Sequence, residues 1–135
     1  MNEQPQGEPR RDSVESPFSA ILAALAERVE GFRAAVFFDD EGETVDYHSM
    51  LEPFETRLIG AHTGIVLNSA SVRFRWLGLG EVDRLDVRAG WRDTITVALG
   101  SGYYLTLVLE AGAATDDIDR PIEEAALALK REAGL

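Results

Sequence analysis

Residues 37–48 read FFDDEGETVDYH, which puts five carboxylates and a histidine into twelve positions. Such a cluster could hold a cation, carry acid–base chemistry, or turn the chain. A calcium loop of the EF-hand type needs oxygen ligands at its first, third and fifth positions, glycine at the sixth and glutamate at the twelfth. With Gly42 as the sixth, Phe37 falls first and His48 twelfth, so both ends of the pattern fail. Zinc fares no better. His48 and His62 are the only histidines, no His-Glu-x-x-His occurs, and the absence of cysteine removes thiolate ligands.

Other catalytic patterns also fail. GLGEVD, residues 78–83, begins like a dinucleotide fingerprint but lacks the third glycine and precedes a strand-like run. Ser101 lies in Gly-Ser-Gly between two strand-like runs, not at a strand-to-helix elbow. No histidine has an evident serine and acid to work with. We therefore expect no catalytic residues, no metal and no cofactor. The acidic stretch reads as a buried strand end (FF), a turn (DDEGE) and the start of a second strand (TVDYH).

These residues must be positioned by a fold. The chain has 135 residues, enough for one domain, and its 45% hydrophobic content supports a core. The net charge of −11 opposes binding to phosphate backbones or anionic membranes, so neither nucleic acid nor membrane insertion is expected. No apolar run reaches the ~18 residues of a membrane span, and the polar N-terminus lacks a signal-peptide core. A cytoplasmic location is expected. Charge is unevenly spread: residues 31–50 carry one arginine against five acids, and residues 73–92 carry five arginines against three acids.

Residues 1–15 are polar with one apolar residue, Val14, and read as a disordered acidic tail ahead of a single domain over 16–135. Ser16 and Pro17 suit the start of a helix. Phe18, Ile21, Leu22, Leu25 and Val29 repeat at helical spacing up to a stop at Gly31. Residues 34–38 are apolar on both faces, and residues 44–50 alternate, so a hairpin follows.

Pro53 opens a second helix, to about Val72. It carries one apolar stripe, Phe54, Leu58, Ala61, Ile65 and Val72, read as its buried face. A second stripe, Ile59, Val66 and Ala70, implies cover from another direction. EVDRLDVRA (81–89), TITVALG (94–100) and YYLTLVLE (103–110) read as three strands, the last two joined by a Gly-Ser-Gly hairpin and the last central in the sheet. Asp119 suits the cap of a final helix that buries Ile122, Ala125, Ala126 and Leu129. The order is αββαβββα. Two strands that are apolar on both faces require helices on both sides of one antiparallel sheet. The expected fold is α+β, a three-layer α/β/α sandwich with a five-stranded antiparallel sheet.

VEGFRAAVFFDDEGETVDY (29–47) and GSGYYLTLVLEAGA (100–113), within this element order, resemble the roadblock, or dynein-light-chain-like, domain family. The resemblance spans about residues 16–134. It implies a non-enzymatic platform that pairs with itself or with another roadblock protein through the second helix and third strand. Paired second helices would then present a surface to a small Ras-like GTPase. Bacterial members similar to the mutual gliding-motility proteins B and C serve cell polarity and motility, and a role resting on a longer C-terminal extension is not expected here.

The residues give the dimer its own argument. If the third strand pairs antiparallel with its copy about Leu85, Arg84 faces the copy's Asp86, and Val82 faces the copy's Arg88. The expected interface is Ile59, His62, Val66 and Ala70 on the helix with Val82, Arg84, Leu85, Asp86 and Arg88 on the strand. Arg57, Arg73 and Arg75 are the candidates for meeting a partner. Two alternatives stand beside the GTPase regulator: an adaptor that never contacts a GTPase, and a small-molecule sensor.

Overall fold

The structure, a computed structural model, describes residues 8–135. Three helices, α1 (Pro17–Ala26), α2 (Pro53–Trp76) and α3 (Asp119–Ala133), enclose five strands. The strands are β1 (Phe32–Asp39), β2 (Thr44–Ser49), β3 (Arg84–Arg88), β4 (Arg92–Gly100) and β5 (Tyr103–Glu110). They form one antiparallel sheet in the order β2-β1-β5-β4-β3. The order αββαβββα and the sandwich are as the sequence indicates.

Helix α1 starts on a full capping box. The Ser16 hydroxyl accepts from the Phe18 and Ser19 amides, and the Ser19 side chain accepts from the Ser16 amide. The helix ends at Ala26, earlier than the expected stop at Gly31. Gly31 instead lies in the turn just before β1 with φ +78°, and a Cβ there would lie 2.8 Å from that of Ala113. Helix α2 runs one turn past Val72. Asp119 is not the cap of α3; Ile118 holds that position without a side-chain bond, and the Asp119 carboxylate turns to Arg84. Ser101 and Gly102 both have positive φ, as a two-residue type I′ hairpin between β4 and β5 requires.

The two faces of the sheet are packed differently. Leu22 and Leu25 of α1 and Ile122 and Leu129 of α3 meet Phe37, Ile95, Leu105 and Leu107 of the sheet in one continuous core. Each such side chain contributes about 1.5–3 kcal/mol on burial. Opposite, under α2, the apolar contacts fall into two small clusters, Ala34–Leu51–Val108 and Val36–Phe38–Tyr47. Buried hydroxyls fill the gaps: Thr106 bonds Thr63 at 2.8 Å and Thr96 at 2.9 Å, and Ser49 bonds Thr56 at 2.6 Å.

Helix α2 departs most from its sequence pattern. Its sheet-facing row is Pro53, Thr56, Gly60, Gly64, Leu67 and Ser71. The stripe expected to be buried lies outside it: Phe54, Leu58, Ile65 and Val72 are all exposed. The cause is close approach. A Cβ on Gly60 would sit 3.0 Å from Val36, and one on Gly64 would sit 2.7 Å from the Phe38 ring. The two glycines let the bulky residues of β1 fill the space beneath the helix.

Candidate interaction surface

The acidic stretch resolves into separate structural tasks. The Asp39 carboxylate accepts from the amides of Glu41 and Glu43, each at 2.9 Å, and so closes the turn. Asp46 is buried and joins two elements: it bonds the Ser16 hydroxyl and pairs with Arg11 at 2.8 Å. His48 is half-buried with its ring 5.9 Å from that of Phe32. Burial lowers its pKa below the ordinary histidine value, and the Arg11 charge acts in the same direction. Among the described residues, no group of three His, Cys, Asp or Glu could hold a metal ion. Among the described residues, no helix is long and apolar enough to cross a membrane.

The two edges of the sheet differ. At the β2 edge, the Arg10 amide donates to the Ser49 carbonyl at 2.8 Å, and Arg11 donates to the Tyr47 carbonyl at 2.6 Å. Over these residues the chain departs from the expected disordered tail, because the inward-facing Asp46 needs a cation and Arg11 supplies it. Residues 1–7 of that tail lie outside the described residues. At the β3 edge, no described strand pairs with the outer side.

Beside the open edge lies uncovered apolar surface. Helix α2 packs on β1, β2 and β5 and barely reaches beyond β4. Leu85 is half-buried and Val87 exposed on β3, and Val66 and Phe74 on α2 and Leu77 just after it are exposed. Ile59 and Ala70, the rest of the second stripe, are half-buried, and Ile59 touches the Ala34–Leu51–Val108 cluster. The outward stripe continues the exposure through Ile65 (59% exposed) to Trp76 (86%), and Trp91 in the β3–β4 turn is 92% exposed. His62 is exposed on the same helix. Exposed large apolar side chains such as these are candidates for an interaction surface.

Several expected site residues sit differently. Strand β3 is shorter than residues 81–89, and Val82 precedes it, held by the Ser71 hydroxyl through its amide at 3.1 Å. Its pairing with Arg88 of a copy therefore falls outside the strand. Arg84 already has partners within its own chain. It grips Asp86 with two bonds, of 2.7 and 3.0 Å, and donates to Asp119 at 2.6 Å. These carboxylates hold it firmly in the charged form. Arg88 is exposed and only loosely paired with Asp93, at 3.8 Å.

The three partner-binding candidates do not form one site. Arg57 and Arg73 are about 24 Å apart along the helix axis at 1.5 Å per residue. Arg57 is engaged by Asp12 at 2.6 Å, Arg75 pairs with Glu81 at 3.1 Å, and Arg73 lies in an open groove with Val72, Trp76 and Leu77.

No protein-family model matches the chain, and no curated protein sequence matches it. Solved structures do. A Roadblock/LC7 domain from Streptomyces avermitilis superposes with a TM-score of 0.78 at 16% identity, over 87% of this chain and 98% of that one. The chain thus has the Roadblock/LC7 fold. Within that fold, MglB of Myxococcus xanthus superposes with a TM-score of 0.75 at 12% identity, over 87% and 94% of the two chains. MglC of the same organism gives 0.62 at 20% identity, over 87% and 99%.

Proposed function

We propose that this chain is a non-enzymatic scaffold that dimerises through α2 and β3 and regulates a small Ras-like GTPase in the cytoplasm, within bacterial polarity or motility control. One observation carries the dimer: no described strand pairs with the outer side of β3, and α2 carries exposed apolar side chains. Pairing β3 with its copy would satisfy the open edge, and the second stripe of α2 would supply apolar contact. The other member of the pair is this chain or another protein of the same fold.

Arg84 changes the account of register. Its own Asp86 and Asp119 satisfy it, so a pairing about Leu85 would exchange equivalent Arg–Asp contacts. Exposed pairs are worth about 0.2–1 kcal/mol, so apolar cover from Ile59, Val66, Ala70 and Leu85 dominates the affinity. The GTPase arm rests on the resemblance to roadblock domains and on the apolar outer face of α2. Such a regulator acts by binding one nucleotide state better than the other.

The mass in solution tests the dimer. The wild-type chain should sediment as a dimer, and Ile59→Asp and Val66→Asp should shift it toward monomer. A monomer mass for all three would remove the interface. Affinity capture of the Ras-like GTPase from the same cell, loaded with either nucleotide, tests the second arm. Absence of binding in both states would leave the adaptor reading, which co-purification of another partner would support.

A further inference from the structure

The β2 edge carries a socket that is already filled. Arg10 and Arg11 lie against this strand, tied by the Arg10 amide to the Ser49 carbonyl, and the chain bends at Asp12 and Ser13. Asp12 is seated in full. Arg57 reaches its carboxylate with two bonds, of 3.1 and 2.6 Å. The Tyr47 hydroxyl donates to the same carboxylate at 2.7 Å and accepts from the Asp12 amide at 3.0 Å. Arg11 and Arg57 both lie over the Tyr47 ring, at 4.7 and 5.6 Å from its centroid. Below, Arg11 meets the buried carboxylate of Asp46. The site therefore has the parts of a peptide reader: a strand edge for main-chain pairing, a forked cation and a hydroxyl for one carboxylate, and a buried acid for one arginine.

We propose that the β2 edge, with Tyr47, Asp46 and Arg57, is a docking groove for an extended peptide carrying arginine followed by aspartate, and that residues 10–12 occupy it as an intramolecular pseudo-ligand. The occupant's chemistry is read from the one already seated. Arg10–Asp12 connect to α1 through only Ser13–Ser16, so the segment competes at a high effective concentration, of order millimolar for a short tether. A partner strand gains access when it outcompetes the segment or when the segment is pulled away. The groove is at the sheet edge opposite β3, so the inference stands apart from the dimer proposal.

The test uses the full chain and a fluorescein-labelled synthetic peptide of residues 8–16 as the probe, followed by anisotropy. Asp12→Ala weakens the internal occupant and leaves Arg11 on Asp46. The peptide should bind this variant about tenfold or more tighter than the wild type, the change expected when a charge-assisted pair is lost from the competitor. Adding Arg57→Ala, or replacing the peptide's aspartate with asparagine, should remove that gain. Equal affinity for wild type and Asp12→Ala would overturn the proposal, as would binding that survives Arg57→Ala. Asp12→Asn, closer in shape, gives the same comparison if the alanine variant melts early.

Discussion

At the residue scale, single positions decide how close elements come. Gly64 lies over the Phe38 ring, which is fully buried and stacked on Tyr104. Gly64→Ala gains about 1 kcal/mol of helix propensity. Its Cβ, 2.7 Å from a ring with no room to move, adds an overpacking cost of about 1–3 kcal/mol. We expect a net loss of stability in urea unfolding, unlike the gain that alanine brings on an exposed helix face. His48 gives a pH-dependent test. Its pKa is lowered in the fold, chiefly by burial, so the unfolded chain binds the proton more readily. Stability is then full above the ordinary histidine range near 6.5 and falls as pH drops through and below it. Between pH 7.5 and 5.5, where carboxylates stay ionised, the wild type should lose more melting temperature than His48→Gln. Asp12 has the same sign in a lower pH window. Arg57 holds its carboxyl well below the usual range, so its contribution persists until the pH falls below about 4.

At the scale of elements, the strands were legible and α2 was not. Phe37 and Phe38 in β1, and Leu107 and Val108 in β5, mark strands covered on both sides, and the register places both in the middle of the sheet. Helix α2 shows what periodicity misses. Hydrophobic spacing finds bulk, and bulk faces the core only where the core has room for it. Here β1 fills that room, so glycine, threonine and serine face inward and Phe54, Ile65 and Val72 face outward. The usable signal was the Gly60-x-x-x-Gly64 spacing, four apart on one helix face. The seated segment at β2 was equally hidden, since its residues are polar. The clue was Asp46, whose inward position demands a cation. Arg11→Ala should therefore cost more than a surface pair, about 1–3 kcal/mol, because a buried carboxylate loses its partner. Chemical denaturation would measure it. Of the proposed interface, the second stripe and Leu85 could be read from the sequence, whereas the internal partners of Arg84 could not, because Asp119 is distant in the chain.

At the scale of the whole molecule, the tryptophans stand at the ends of the two elements of the proposed α2–β3 face, Trp76 at the last position of α2 and Trp91 in the turn after β3. The chain has two, Trp76 and Trp91, and both are almost fully exposed in the single chain. Covering that face should shift emission to the blue and reduce acrylamide quenching as concentration rises. Val66→Asp should keep the spectrum red at every concentration. A wild-type spectrum that stays red up to concentrations where the mass shows a dimer would place the contact elsewhere.

The unequal packing of the two sheet faces also sets an order of opening. One continuous core fastens α1 and α3, whereas two small clusters and a set of hydroxyl contacts fasten α2. Amides of α2 should then exchange with solvent deuterium as one cooperative block, at a lower opening energy than those of β1 and β5. A partner that covers the outer face of this helix would slow that whole block together, including residues it never touches.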